Sequence, residues 1–263
     1  MRKSIFLKVL LEKRRSIVLW AIVILATNIA LAFLFPAMRD TMGAMTESIP
    51  PGMEGWFGDV DTWQTYTGYA GQELFGQMAI ILIIMAILFG SNYLAGYEGS
   101  GTLLTLLSRP VSRSQVYWSK YAAFVAALAG VSVAFYAGVV AGGLLLGEPV
   151  AFLVFAQCML MVFLLTLALG SASFAIGAIT GKSGLAGIIV GFYAFVAYLV
   201  SSLSTAAEVV NTLSYASLFR YATASEVIQT GLQTSSALLL IAIAALATIL
   251  GNIVFNKRDL ITR

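Results

Sequence analysis

Histidine is absent from this 263-residue chain, and cysteine occurs once, at Cys158. The first absence excludes Ser–His and Cys–His nucleophilic constellations and the H-E-x-x-H zinc motif. A lone cysteine forms no internal disulfide, and without histidine no His-based metal site exists. Charge is scarce as well. Asp, Glu, Lys and Arg together make up 10% of residues, where a soluble domain carries roughly 25%, so an ordinary water-soluble fold is excluded. What fills the chain instead is apolar: 60% hydrophobic residues and a mean hydropathy of +0.92.

The apolar residues are gathered into six runs, Ser16–Phe35, Gln77–Gly96, Tyr117–Leu146, Val150–Ile179, Gly184–Leu203 and Ser235–Phe255. Each reaches about 20 residues or more, the length that crosses ~30 Å of hydrocarbon as a helix. The third and fourth are long enough, at ~1.5 Å per residue, to tilt or to project beyond the bilayer. The fold class expected is all-α, a polytopic membrane protein of six transmembrane helices in a single domain over residues 1–263. Ala30-Leu31-Ala32 has the small-residue character of a signal-peptide cleavage site. The long basic region before it, and an apolar run continuing to Phe35, favour a retained first span.

Charge placement orients the chain. Of 15 basic residues, 13 fall on the side shared by both termini, and only Arg39 and Arg220 on the other. The positive-inside rule then puts both termini in the cytoplasm of a multi-pass protein of the cell membrane. Most acids fall outside, so the net charge of +3 is no argument for nucleic-acid binding. The span centres carry almost no ionisable residues, whereas ion-coupled carriers keep acids there for relays. Any transport must draw its energy from elsewhere.

Between the spans the chain is uneven. Residues 1–15 read as an amphipathic interfacial helix with Ser4, Lys8, Glu12 and Arg15 on one face. Residues 36–76 form an outside loop whose Trp56, Phe57, Trp63, Tyr66 and Tyr69 suit a membrane–water belt. Residues 204–234 are too polar to span and read as one or two short outside helices. Gly181-Lys182-Ser183 has the ending of a P-loop, but the earlier glycine, Gly177, is one residue too close and no strand precedes it. Lys182 is better explained as a topology determinant. Small residues at four-residue spacing recur at Gly138/Gly142, Gly177/Gly181 and Gly187/Gly191, a pattern that lets helices approach closely. Most suit packing within the chain; Gly184, Gly187 and Gly191 on the fifth span are candidates for packing against a second copy.

The segment from Tyr97 to Tyr121 is the most distinctive. Glu98 precedes a Gly-Ser-Gly break, Thr102 opens a short helix bearing Leu103, Leu104, Leu106 and Leu107, and Pro110 stops it between Arg109 and Arg113. An apolar cluster in a cytoplasmic loop marks an interaction surface rather than a solvated basic linker.

In these residues the chain resembles the permease subunits of the ABC type-2 superfamily, the membrane halves of ATP-driven exporters. Glu98, Gly101-Thr102-Leu103, Leu106-Leu107-Ser108, Pro110, Ser112-Arg113 and Lys120 match the family pattern in order. The six spans, the amphipathic N-terminus and a closing Phe255-Asn256-Lys257-Arg258-Asp259-Leu260 extend the likeness over the whole chain. One departure is Gly-Tyr before Glu98, where Ala-Gly-Glu is frequent, which leaves a single acid. The resemblance implies a dimer with a second permease copy or paralogue, and a separate cytoplasmic ATPase that holds the ATP and Mg, with no cofactor in this chain. It implies that residues 97–116 are the coupling segment, with Glu98, Gly101, Thr102, Leu103, Leu106, Leu107, Ser108, Arg109, Pro110, Arg113 and Lys120 serving the ATPase contact. An alternative reading keeps the ATPase but makes the complex a force- or signal-transmitting accessory. The outside loop, Thr46–Asp59 above all, then docks an extracytoplasmic protein.

Overall fold

The computed structural model describes residues 2–45, 63–99, 101–107, 111–204 and 208–258. Every regular element among them is helical. Six helices are long and apolar enough to cross a membrane: α1 (Arg2–Ala32), α3 (Tyr66–Gly99), α5 (Arg113–Leu146), α6 (Phe152–Thr180), α7 (Ser183–Ser202) and α10 (Thr234–Lys257). Shorter helices fill the connections: α2 (Phe35–Met45), α4 (Thr102–Leu107), α8 (Glu208–Ser214), a 3-10 turn at Leu218–Ala222, and α9 (Ala224–Thr230).

Element boundaries differ from the apolar runs in three places. Residues 2–15 are helical, but they run into the first span without a break. Ile5 and Val9 turn inward while Leu7 and Leu11 stay exposed. The second span begins at Tyr66 rather than Gln77, because Ala70–Met78 forms a π-helix whose Gln72 and Glu73 interrupt the hydropathy. The third span begins at Arg113, where the Ser112 side chain accepts a hydrogen bond from the Gln115 N–H at 3.2 Å.

The predicted aromatic belt divides. Trp56 and Phe57 lie outside the described residues, while Trp63, Tyr66 and Tyr69 are buried. Trp63 packs on Tyr69 with ring centroids 5.8 Å apart, and the two tyrosines pack with Phe35, at 5.6 Å for Tyr66 and 5.4 Å for Tyr69. Their hydroxyls reach carbonyls of neighbouring helices: Tyr66 donates to Val139 at 2.6 Å and Tyr69 to Leu31 at 2.7 Å. A phenol that finds a carbonyl inside the protein has no need of the interface.

Lipid tails are as apolar as leucine, so helices in a bilayer associate through close packing and hydrogen bonds rather than hydrophobic expulsion. The contacts follow that logic. A Cβ on Gly90 of α3 would sit 2.2 Å from the Gly170 carbonyl oxygen of α6, so the two backbones meet where neither bears a side chain. Beside that crossing Ser173 donates to the Ile87 carbonyl at 2.9 Å. Tyr117 of α5 donates to the Thr248 carbonyl of α10 at 2.8 Å. Gly138 and Gly142 accept α1, with Ala32 where a Gly142 side chain would go. The small-residue pattern therefore serves internal packing there, as the sequence suggests. Helix α3 has 61% of its apolar window buried, against 17% for α1, 22% for α7 and 28% for α10. The centre of the bundle is thus α3, α5 and α6.

Candidate coupling site at the terminal end of the bundle

Two consecutive residues at the end of α3 reach in different directions. Tyr97 donates its hydroxyl to the Glu12 carboxylate of α1, 85 residues away in sequence. Glu98 pairs with the Arg258 guanidinium just past α10. Contacts from one helix end to the beginning of the first span and the end of the last put both termini at the same end of the bundle. The positive-inside expectation requires the same arrangement.

The Glu98 side of the junction is nearly sealed. Side-chain exposure is 9% for Glu98 and 17% for Arg258. Arg113, in the first turn of α5, donates from Nη1 to the Arg258 backbone carbonyl at 2.6 Å. Gly181 ends α6 in the left-handed conformation, φ +70°, where a Cβ is disfavoured. The missing side chain also leaves room: a Cβ there would come 2.5 Å from Arg258 Nη1 and 2.8 Å from Glu98 Oε1. The glycine of the rejected P-loop thus ends a helix and admits an ion pair. Helices α3, α5, α6 and α10 meet at this point.

The Tyr97 side holds the other buried cation. Lys120 is fully buried in α5, and its Nζ lies 2.9 Å from the centroid of the Tyr97 ring, over the face that attracts cations. Among the described residues Nζ meets no hydrogen-bond acceptor. Glu12 also pairs with Lys8 at 3.8 Å. A cavity of about 70 Å³ lies among Val9, Glu12, Tyr97, Thr102, Leu106 and Lys120.

Helix α4 hangs directly below this junction. Gly101, at φ +70°, turns the chain out of α3, and its N–H bonds to the Glu98 carbonyl at 2.9 Å. Leu103 is wholly buried and Leu106 packs on the subunit's own core. These two leucines hold α4 to the bundle and so are not part of an exposed apolar patch. Ser108, Arg109 and Pro110 lie outside the described residues, as do the side chains of Leu104 and Leu107. Of the predicted coupling residues, the structure therefore gathers Glu98, Gly101, Thr102, Leu103, Leu106, Arg113 and Lys120 around one junction.

The contact residues that the resemblance implies do not include Arg258, Tyr97, Glu12 or Gly181, although Tyr97 opens the expected coupling segment, residues 97–116. Arg258 stood in the closing basic segment and Gly181 in the rejected motif, so both were visible, but only tertiary contact joins them to Glu98. On the fifth span Gly184 and Gly191 have nothing within 4 Å of where a Cβ would lie, and Gly187 has only Ser91 Oγ at 3.8 Å. That face is open in the single chain and continues through exposed Ile188 and Phe192. The outside-loop stretch Thr46–Asp59 lies outside the described residues.

A search of the curated proteins finds no match. A family model described as ABC-2 family transporter protein matches residues 4–260.

Proposed function

Since the chain belongs to the ABC-2 transporter family and forms the membrane subunit of an ABC transporter, we propose that it is an exporter permease driven through the Tyr97–Glu98 junction. The family implies association with an ABC ATPase and with the membrane. In this reading the ATPase is a separate cytoplasmic subunit that binds the ATP and Mg, and it seats against α4 and the residues following it. The chain then spans the cell membrane with both termini in the cytoplasm. A second copy or paralogue packs along the Gly184, Gly187 and Gly191 face of α7.

The observation that carries the reading is the pair of contacts at the end of α3. A displacement of α4 acts on Tyr97 and Glu98 within a few residues, and those two are joined to α1, α5 and α10. Through Gly181 the end of α6 lies against the same ion pair. Few-residue connections transmit force where long flexible ones would absorb it, because each added residue brings soft backbone dihedrals. ATPase closure thereby moves the ends of most spans together, and the bundle exchanges one packed arrangement for another instead of deforming continuously.

The test replaces residues 102–107 with a Gly-Ser linker of equal length in the affinity-tagged full chain. Membrane insertion is expected to persist, while recovery of an ATPase subunit with the chain falls at least tenfold. Undiminished recovery, together with undiminished ATP-dependent transport, would overturn the assignment.

A further inference from the structure

At the opposite end of the bundle the second span opens on a nine-residue π-helix, Ala70–Met78. Its sequence contains a five-residue repeat, Gly71-Gln72 and Gly76-Gln77. In an α-helix residues five apart point about 140° from each other, at 3.6 residues per turn. A π-helix bonds each residue to the fifth one along, so such residues fall on the same face. The π register keeps the two glycines, and likewise the two glutamines, on one side of the helix, and all four line one cavity of about 300 Å³. An α-register would have turned one of the two carboxamides away.

The surroundings suit a particular chemistry. Ser201 and Ser202, at the end of α7, and Ser225 of α9 complete the polar wall, and Ser225 donates to Gln72 Oε1 at 2.5 Å. Helix α9 comes this near because Gly71 has no side chain: a Cβ there would lie 2.0 Å from Ile228 Cδ1. The floor is apolar, made by Ile83, Val162 and Leu165. No Asp, Glu or Lys lines the cavity among the described residues. Its one charged group, Arg220, is already engaged by Asn211 and Ser214, with its guanidinium 3.9 Å from the Tyr215 ring centroid. Carboxamides and hydroxyls both donate and accept, which matches the two-way hydrogen bonding of hydroxyl groups. A volume near 300 Å³ is at the small end of ligand pockets, enough for a compact head and a short apolar stretch. π-helical turns are uncommon and concentrate at functional sites.

We propose that this cavity binds an amphiphile with an uncharged, hydroxyl-rich head, sugar-like in its chemistry, held by Gln72, Gln77 and the serine wall, with its apolar part against the floor. The site is distinct from the coupling junction, and binding to it requires no ATPase, so its failure leaves the coupling reading untouched.

The experiment uses the full-length chain in phosphatidylcholine vesicles, photolabelled with an alkyl β-glucoside carrying a diazirine in its chain. Labelling is expected in peptides containing residues 71–83 and 162–165. Excess unlabelled octyl glucoside should reduce it at least fivefold, and the Gln72→Leu/Gln77→Leu double variant by a similar factor. Dodecylphosphocholine at equal concentration should reduce it less than twofold. Ser201→Ala/Ser202→Ala, which leaves the π segment intact, should also weaken labelling, and so separates lost recognition from lost folding. Equal competition by the phosphocholine would overturn the proposal. So would unchanged labelling in both double variants, or labelling spread evenly over lipid-facing helices.

Discussion

The Arg258 guanidinium, one residue beyond α10, is paired with the Glu98 carboxylate near the end of α3, 160 residues earlier in sequence. Both groups are largely withdrawn from water. Removing one partner of a buried pair costs about 3–5 kcal/mol, because the other charge is left uncompensated. The remaining 17% exposure of Arg258 moves the expectation for Glu98→Ala to the lower end, about 3 kcal/mol. Arg258→Ala should cost a similar amount. The exchange Glu98→Arg/Arg258→Glu should recover more than half, since Arg113 holds the backbone carbonyl of residue 258 and not its side chain. Thermal unfolding in nanodiscs, followed by tryptophan fluorescence, reads the cycle. Additive losses in the double variant would show that the two residues act separately.

Gly181 and Gly147 give an internal comparison. Both end long helices in the left-handed conformation, at φ +70° and +75°. A Cβ on Gly147 meets nothing within 4 Å, whereas one on Gly181 meets Arg258 and Glu98. Gly147→Ala should therefore cost only the backbone term, about 1 kcal/mol. Gly181→Ala should cost about 1–2 kcal/mol more, because the ion pair must shift to admit the methyl group. Equal unfolding shifts for the two variants would mean that the pair yields freely. In the Arg258→Ala background most of the excess at Gly181 should disappear.

Much of this architecture is legible in the sequence, and the illegible part has a physical cause. Six spans follow from apolar length alone, and the shared end of the termini follows from their even number. The start of the second span at Tyr66 is hidden in the sequence because hydropathy counts Gln72 and Glu73 as breaks, while a π-helix can turn such residues toward the protein interior. Tyr69 read as an interfacial ring because a sequence does not reveal that the Leu31 carbonyl is 2.7 Å from its hydroxyl. At the end of α3 the local motif is legible from Glu98 to Lys120. Glu12 and Arg258 are legible too, on the N-terminal helix and in the closing basic segment, but their pairing with Tyr97 and Glu98 is not, because contacts across 85 or 160 residues leave no local pattern.

The Gly90–Gly170 crossing predicts that two helical glycines will respond with opposite sign. A Cβ on Gly90 would press 2.2 Å from a carbonyl oxygen, and backbone cannot rotate out of the way as a side chain can. Gly90→Ala should destabilise by about 1–3 kcal/mol through overpacking and separate α3 from α6. Gly130, within α5, has nothing within 4 Å, so Gly130→Ala should gain about 0.5–1 kcal/mol of helix propensity. Unfolding midpoints of the two variants in the same nanodiscs measure both. A neutral Gly90→Ala would show that α3 and α6 do not depend on contact at that point.

Lys120 tests whether the junction trades stability for coupling. Its ammonium is wholly buried, with the Tyr97 ring 2.9 Å away and no hydrogen-bond acceptor among the described residues. A desolvated cation over a ring gains about 2 kcal/mol. Withdrawing an ammonium from water costs several kcal/mol even after relaxation, so the ring does not compensate fully. Lys120→Met keeps the length of the side chain and removes the charge, and it should stabilise the isolated subunit by about 1–2 kcal/mol. Tyr97→Phe keeps the ring and loses the hydroxyl contact to Glu12, which should cost about 1 kcal/mol. If Lys120 ties α5 to the end of α3 for the sake of coupling, Lys120→Met should also reduce ATP-dependent transport by the assembled complex while its unfolding midpoint rises. A stabilised variant with unimpaired transport would assign Lys120 to orientation in the membrane alone. A destabilised one would show that the Tyr97 ring stabilises the cation by more than its desolvation costs.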